Sequence, residues 1–244
     1  MDTSIDSLEA LKRGKIAIQG EFLWGSNYTF LVQVETDGGK LPAVYKPSRG
    51  ERPLWDFPTS SLAKREAAAF WVSQALGWEL VPPTVYRSRG PIGAGSVQLY
   101  IDHDPEYHYF NFSPEDHQRL RPTVLFDLLI NNADRKGSHI LVGENRHIWL
   151  IDHGVCFHVE DKLRTVIWNF AGEKIPEEYL ADLRSFVNKL EPIDEQSSEL
   201  WDRLVRLLNR GEIRAMAARA KTLIYSGIFP APDPHRRPFP WPAI

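Results

Sequence analysis

A pair of aspartates on either side of a predicted hairpin limits most strongly what this sequence can fold into. Asp134 follows a segment, 124–130, whose apolar residues cover nearly all sides of a helix and therefore predict a buried one. Two short apolar runs come next, at 139–142 and 147–151, and Asp152 directly follows the second. The hairpin thus separates two carboxylates that each follow an apolar element. Taken singly, each aspartate is also typical of an ordinary turn.

The first part of the chain has the periodicity of strands. Alternating or β-branched runs predict antiparallel strands at 15–22, 29–35, 41–46, 84–87 and 96–101. One helical pattern interrupts these strands at 61–76. Thr59, Ser60 or Ser61 is expected to cap that helix, and Gly77 is expected to end it.

Helical patterns dominate from residue 113 onward. Three amphipathic helices are predicted between 176 and 225. A third of the 18 prolines come after these helices, which predicts an extended tail at 226–244, because proline lacks the N–H that helices and sheets need. We therefore expect an α+β fold. Its small antiparallel β lobe with one helix is predicted at 1–101, its larger mainly helical lobe at 102–225, and its tail at 226–244.

Charge and cysteine content exclude several classes of protein. Lys and Arg number 29 against 32 Asp and Glu, so a formal net charge of −3 gives no overall attraction to nucleic acid or anionic lipid. A single cysteine, Cys156, excludes internal disulfides and multi-cysteine zinc sites. No apolar run approaches the roughly 18 residues of a membrane span, and the acidic start of the sequence is unlike a signal peptide. We expect a cytoplasmic protein without a nucleic-acid partner or stable membrane insertion.

A lysine and a glutamate in the first part form a second candidate pair. Lys46 ends a predicted strand, and Glu66 lies four residues from both Leu62 and Phe70, on the apolar face of the helix. A carboxylate there is costly unless it is paired, and the preceding strand offers Lys46. Kinases use such a pair to hold the α- and β-phosphates of ATP. A purely structural ion pair explains the two residues equally well.

The turn between the first two strands is a candidate phosphate contact. It contains Gly25, Ser26 and Asn27. A glycine beside a small hydroxyl residue can direct backbone N–H groups at phosphates, as glycine-rich nucleotide loops do. The segment matches neither of the common glycine-rich patterns, and an ordinary hairpin turn is the simpler interpretation.

Two motifs around the aspartates resemble a known family. Asn-Ala-Asp-Arg-Lys-Gly-Ser-His at 132–139, followed by Ile-Asp-His-Gly-Val-Cys-Phe at 151–157, is similar to the catalytic loop and metal-binding motif of the phosphatidylinositol 3- and 4-kinase-like superfamily. Type II phosphatidylinositol 4-kinases and small bacterial relatives are the nearest branch, and HipA-type kinases are more remote. The resemblance covers roughly 15–210. It implies a two-lobed protein-kinase-like fold that binds ATP with Mg²⁺, or with Mn²⁺ in its place.

Phosphoryl transfer needs one carboxylate to orient or deprotonate the acceptor hydroxyl and another to hold the metal. The resemblance gives these roles to Asp134 and Asp152. Together with the features above it implies the following site: Asp134 and Arg135 as catalytic residues; Gly25, Ser26, Asn27, Lys46, Glu66, Gln98, Leu99, Tyr100 and Ile101 as nucleotide contacts, the last four forming the hinge against adenine; and Asp152 with His139 at the metal.

His139 departs from the pattern of that superfamily. Five residues after the catalytic aspartate the superfamily usually has an asparagine as second metal ligand. Magnesium prefers oxygen ligands, so an imidazole is a poor substitute. The departure predicts a manganese or single-metal site, a replacement by Ser138, or weak turnover.

Basic residues beyond the two aspartates are candidates for contact with the acceptor. Lys136, Lys162 and Arg164 could bind an acidic acceptor or its phosphate. A solvated charged loop explains them equally well. The acceptor hydroxyl could belong to a protein, a small metabolite or an inositol lipid, and the small size of the chain favours the first two.

Three other functions remain open from the sequence. The same site could transfer AMP rather than phosphate, or it could bind nucleotide without catalysis as a pseudokinase. Seven of the eight histidines fall between His103 and His158, which raises the alternative of a metal-dependent hydrolase. The metalloprotease pattern H-E-x-x-H is missing from the sequence, so we favour the phosphotransferase.

Overall fold

The computed structural model describes residues 3–22, 28–191 and 198–244, with side chains from residue 7 onward. The strands are β1 (Lys15–Glu21), β2 (Phe30–Thr36), β3 (Gly39–Pro47), β4 (Thr84–Arg87), β5 (Gly95–Leu99), β6 (Ile140–Val142) and β7 (Ile148–Leu150). The helices are α1 (Thr3–Arg13), α2 (Leu62–Leu76), α3 (Pro114–Gln118), α4 (Arg121–Ile130), α5 (Glu177–Leu190), α6 (Glu199–Leu204) and α7 (Arg210–Ser226). Within the described ranges, no helix is both long and apolar enough to cross a bilayer.

A five-stranded antiparallel sheet forms the first lobe, in the order β1-β2-β3-β5-β4. Its buried face carries alternate residues of the strands, including Val32 and Val34 of β2 and Ala43 of β3. Helix α1 covers this face through Leu11, which is fully buried. The sequence did not predict α1, so the lobe has two helices rather than one.

The start of α2 differs from the prediction. Ser61 makes no capping hydrogen bond. The carboxylate of Glu51 instead accepts the N–H groups of Leu62 and Ala63, at 3.2 and 3.0 Å. A carboxylate accepts hydrogen bonds from the same unpaired N–H donors, and its negative charge is also stabilised by the positive end of the helix dipole. At the other end, Gly77 adopts the left-handed conformation (φ 73°) that closes a helix, as predicted.

Helix α2 connects the two lobes. It packs on the sheet, yet its residues Ala68, Phe70 and Val72 belong to the larger core that α4, α5, α6 and α7 also line. The larger core therefore extends across residue 101, where the sequence divides the lobes. Any change in the position of α2 relative to the second lobe has to disturb that core.

A buried ion pair fixes α2 to α7. The guanidinium of Arg65 bonds the carboxylate of Glu212, and both side chains are almost completely buried. Arg65 also donates to the carbonyl of Cys156 at 2.6 Å and lies 4.9 Å over the ring of Phe57. The second oxygen of Glu212 accepts the N–H of Asn209 at 2.9 Å, so this carboxylate also caps α7.

The tail continues beyond Ser226, the last residue of α7, and lies along the second lobe; it is not extended throughout as predicted, because it turns at 233–236. Phe229 is buried against Phe170. Further along the tail, the carbonyl of Pro238 accepts the N–H of Thr165 at 2.9 Å, and the carbonyl of Ala243 accepts the N–H of Gly137 at 2.8 Å. The tail donates as well, since the N–H of Phe229 bonds the carbonyl of Glu173 at 2.9 Å.

The Arg65 pair generates a prediction about stability. Arg65→Met keeps an apolar stem but leaves the Glu212 carboxylate buried without its cation, so we expect a loss of about 3–5 kcal/mol in the free energy of unfolding, measured in urea. Combining Arg65→Met with Glu212→Gln should cost less than the two single changes added together.

Arg184→Met is the matched control. Arg184 pairs with Glu177 at 2.5 Å, but both side chains are exposed, so its replacement should cost no more than about 1 kcal/mol. Equal losses for Arg65→Met and Arg184→Met would show that the buried pair is not what fixes α2.

Candidate active site

Three elements bring a lysine and two carboxylates together between the lobes. Lys46 lies near the end of β3, Glu66 in the second turn of α2, and Asp152 just after β7. The ammonium of Lys46 is 2.6 Å from Oε1 of Glu66 and 3.1 Å from Oδ1 of Asp152. The other oxygen of Glu66 accepts the N–H of His153 at 2.9 Å. The two residues that the sequence paired, Lys46 and Glu66, are thus in direct contact.

The charges of this group support one another. Burial opposes the charge on Lys46, but Asp152 and Glu66 outweigh it and raise the pKa of Lys46 above the ordinary lysine value. The same lysine holds the pKa of Asp152 well below its usual range, although burial acts in the other direction. Both groups are therefore ionised at neutral pH.

Asp152 is held in a strained backbone conformation. Its φ is 61°, in the left-handed region that costs a residue with a Cβ about 1–2 kcal/mol. The ion pair with Lys46 and the anchored N–H of the next residue, His153, offset this cost. The strained backbone directs the carboxylate of Asp152 at Lys46. The contacts of Asp152 and His153 therefore stabilise a backbone conformation that is unfavourable by itself.

Asp134 lies in the loop 131–139 that follows α4. Asn131 ends α4 with φ 54°, and the side chain of Asn132 accepts the N–H of Asp134 at 3.0 Å. Burial raises the pKa of Asp134 to about 6; Asp152 adds to the rise, whereas Lys136 and Arg164 oppose it. The nearest cation is Lys136, at 3.6 Å from Oδ2. Asp134 is therefore a carboxylate of unusually high basicity.

Arg135 occupies a different place from the one the sequence gives it. The sequence places Arg135 among the catalytic residues, but its side chain is completely buried and pairs with Asp127 of α4 at 3.0 Å. It also donates to the carbonyls of His139 and Ile151 and to Nε2 of His153, at 3.2, 2.8 and 2.8 Å. In the structure Arg135 therefore connects α4, the loop 131–139 and the segment around Asp152 from inside the core.

His139 lies beside Asp152, where the superfamily pattern has asparagine. Its Nε2 is 3.4 Å from Oδ2 of Asp152. Burial lowers the pKa of His139 to about 4 despite the opposing effect of Asp152, so the imidazole is neutral at physiological pH. A neutral imidazole can be a metal ligand, and its buried Nδ1 has no hydrogen-bond partner among the described residues.

This donor set fits a divalent cation that arrives with a nucleotide. One or two side-chain ligands plus substrate phosphates are the usual environment of Mg²⁺, and an imidazole also suits Mn²⁺. Asp152 and His139 are the residues that would hold such an ion. Across residues 7–22, 28–191 and 198–244, no group of three or more His, Cys, Asp or Glu side chains is arranged to hold a metal, so the hydrolase alternative gains no support there.

The predicted hinge residues are largely engaged by the sheet. The N–H groups of Leu99 and Tyr100 donate to the carbonyls of Pro83 and Pro42, at 2.9 and 3.1 Å. The buried side chain of Gln98 donates to Thr84 at 2.8 Å. A base lying here would have to use other groups of these residues.

The fourth predicted hinge residue is placed differently. Ile101 follows the last strand of the sheet, and its side chain lies close to Gly143 in the turn of the β6–β7 hairpin. It therefore connects the hinge region to the hairpin that carries Asp152. Gly25, Ser26 and Asn27, the predicted phosphate turn, lie outside the described residues.

A cleft of about 350 Å³ opens beside Asp134. Lys162 and Arg164 line it, as do Trp55 and Asp56 from the loop between β3 and α2. Lys162 lies 3.5 Å from Asp56 and 4.8 Å above the ring of Trp55. The sequence analysis missed this loop, although its cluster of aromatic residues and prolines at 53–58 was a usable signal.

Comparisons with known proteins agree with the architecture. No protein-family profile matches the chain. Among solved structures, Fam20 from hydra, determined with sugar, superposes with a TM-score of 0.55 at 17% identity over 90% of this chain and 87% of that one. The Golgi casein kinase with Mn/ADP bound gives 0.54 at 17% identity, over 93% and 76%. The predicted α+β, kinase-like fold is confirmed, and the fold is of the atypical kinase type.

A close relative in sequence defines the family. Protein Rv2133c of Mycobacterium tuberculosis (strain ATCC 25618 / H37Rv) is 38% identical over an alignment of 274 residues. The alignment covers 98% of this chain and 96% of the relative, so the two share their whole architecture rather than one segment. The chain therefore belongs to the family of Protein Rv2133c.

Proposed function

We propose that this protein is an ATP-dependent phosphotransferase that moves the γ-phosphoryl group to a hydroxyl acceptor. The contact of Lys46 with both Glu66 and Asp152, at 2.6 and 3.1 Å, carries the proposal. Such a triad is the phosphate-binding arrangement of kinases. The motif similarity to the phosphatidylinositol 3- and 4-kinase-like superfamily and the fold shared with a kinase that binds Mn/ADP give further support.

The residues divide into two groups in this proposal. The part at 1–101 supplies the nucleotide contacts: Lys46 binds the α- and β-phosphates, Glu66 orients Lys46, and Gly25–Asn27 with Gln98–Ile101 border the nucleotide. The part at 102–225 supplies Asp134, with Asp152 and His139 as the residues that would hold Mg²⁺ or Mn²⁺. When bound, this cation would neutralise the negative charge of the phosphates.

The transfer step involves one bond made and one broken. The acceptor oxygen forms a bond to the γ-phosphorus while the bond from that phosphorus to the β–γ bridging oxygen breaks, and ADP leaves with the electron pair. The acceptor proton passes to the carboxylate of Asp134. A pKa of about 6 leaves Asp134 ionised at neutral pH and able to take this proton. Lys136, Lys162 and Arg164 are the proposed contacts of the acceptor.

Labelled ATP tests the reaction directly. With Mg²⁺ or Mn²⁺ present, label from γ-labelled ATP should move to an acceptor or to water, while label from α-labelled ATP stays in ADP. Asp134→Asn should keep nucleotide affinity and lose at least about a hundredfold in turnover, because it removes the base.

Lys46→Met should weaken nucleotide binding, measured by calorimetry, whereas Lys40→Met, an exposed position on the same strand, should not.

Each alternative has its own outcome in this experiment. Product labelled only from α-labelled ATP would show that the protein transfers AMP rather than the γ-phosphoryl group. Nucleotide binding combined with turnover that Asp134→Asn leaves unchanged would indicate a pseudokinase. Absence of nucleotide binding with either cation, together with tightly bound metal in the purified protein, would favour the hydrolase.

The raised pKa of Asp134 predicts that its ionised carboxylate lowers the free energy of unfolding. Above pH 6 the folded state carries a poorly solvated carboxylate; as the pH falls from 6 towards 4, the folded state takes up the proton first and the cost disappears. A pKa rise of this size corresponds to about 3 kcal/mol, and we expect about 1–2 kcal/mol because the side chain is 35% exposed and screened.

Asp134→Asn should therefore unfold at higher urea concentration than the wild type at pH 8, with roughly half of that gain left at pH 5. Asp37→Asn, in the exposed turn between β2 and β3, is the matched control and should leave the unfolding midpoint at pH 8 almost unchanged. If Asp134→Asn were less stable than the wild type at pH 8, the raised pKa of Asp134 would be contradicted.

Replacement of His139 tests its proposed place at the metal. His139→Asn supplies an oxygen ligand, so the affinity for a non-hydrolysable ATP analogue in Mg²⁺ relative to Mn²⁺ should rise, by roughly tenfold. Calorimetric titration with each cation measures the ratio. His235→Asn, an exposed position in the tail, is the control. An unchanged ratio in His139→Asn would remove His139 from the metal site.

A further inference from the structure

A second cavity lies between α4, α7 and the tail, and its lining residues differ from those of the cleft beside Asp134. Its volume is about 460 Å³. Apolar side chains form most of its wall, among them Leu128 of α4, Leu163, Leu223 of α7 and Pro238 of the tail. Cavities of this size and character are typical of sites for small molecules. We call it the tail cavity.

One arginine in the wall of the tail cavity forms no ion pair with a carboxylate of the described residues. Arg219 of α7 donates through Nε to the carbonyl of Leu129 at 2.9 Å and through Nη1 to the carbonyl of His158 at 3.3 Å. Its Nη2 is closed to solvent and has no hydrogen-bond partner within the described ranges. Burial lowers the pKa of Arg219 to about 10, so the protein environment disfavours its charge.

The other charges around the tail cavity are already paired. Asp161 and Asp233 lie 2.7 and 3.5 Å from the guanidinium of Arg236. Asp161 favours the charge of Arg219 from a distance but forms no ion pair with it in the part of the chain that the structure describes. The wall also contains Trp168, whose indole N–H is buried and likewise unpartnered among the described residues.

Buried donor atoms without a hydrogen-bond partner are rare in folded proteins, because each costs free energy that a partner would recover. Here two such donors belong to the wall of one apolar cavity. From this we infer that the tail cavity binds a small molecule with an apolar body and one carboxylate group, with Arg219 as the residue that recognises the carboxylate. Since Nη2 of Arg219 is closed to solvent, wall side chains have to shift slightly to admit the ligand oxygen.

The full-length chain, titrated with dodecanoate and with dodecan-1-ol below their critical micelle concentrations, tests this inference by calorimetry. The two probes share an apolar body and differ in the head group. We expect saturable one-to-one binding of dodecanoate that is at least tenfold tighter than binding of the alcohol. Arg219→Met should weaken dodecanoate at least tenfold and abolish the preference for the acid. Arg214→Met, an exposed arginine on the same helix, should change neither.

Arg219 also donates hydrogen bonds to two backbone carbonyls, so Arg219→Met could disturb the fold. A second variant that keeps Arg219 is therefore needed. Ala218→Trp fills the tail cavity from α7 without removing the arginine, and it should block dodecanoate as well. Equal affinity for acid and alcohol, undiminished binding to either variant, or no saturable binding would each overturn the inference. These titrations require no nucleotide, so their result is independent of the proposed phosphotransfer.

Discussion

The candidate site depends on Arg135, whose guanidinium is completely buried. Arg135 would cost several kcal/mol to bury alone, and breaking a buried pair typically costs about 3–5 kcal/mol. Asp127 supplies its counter-charge, and carbonyls on both sides of the β6–β7 hairpin accept its remaining donors. Asp134 is the residue before Arg135, and Asp152 is the residue before His153, which Arg135 also contacts. One buried side chain thus sets the backbone positions of both aspartates.

Helix α2 is held from two sides by neighbouring residues of opposite charge. Glu66 faces Lys46, while Arg65 faces Glu212 on α7. Because the larger core also includes α2, contacts within the protein hold Glu66 of α2 against Lys46.

Local patterns in the sequence predicted the strands, the longer helices and the pairing of Lys46 with Glu66, because periodicity and the cost of a buried charge are local arguments. They failed where the deciding contact is distant in the chain. Glu51, not Ser61, caps α2, and nothing near Ser61 in the sequence indicates that. Arg135 sits in a charged motif, and only the fold shows that its side chain points into the core rather than at a substrate. Helix α1 was not predicted, although Leu8 and Leu11 are spaced as on one face of a helix.

The course of the tail has a consequence for what can approach Asp134. Its carbonyls accept the N–H groups of Gly137 and Thr165, so a peptide backbone could use these donors only by displacing the tail. Such a peptide would compete with a segment of the same molecule, whose effective concentration is on the order of millimolar. Under the proposed function, the tail would therefore act as a tethered competitor and would favour acceptors that reach Asp134 without using these two N–H groups.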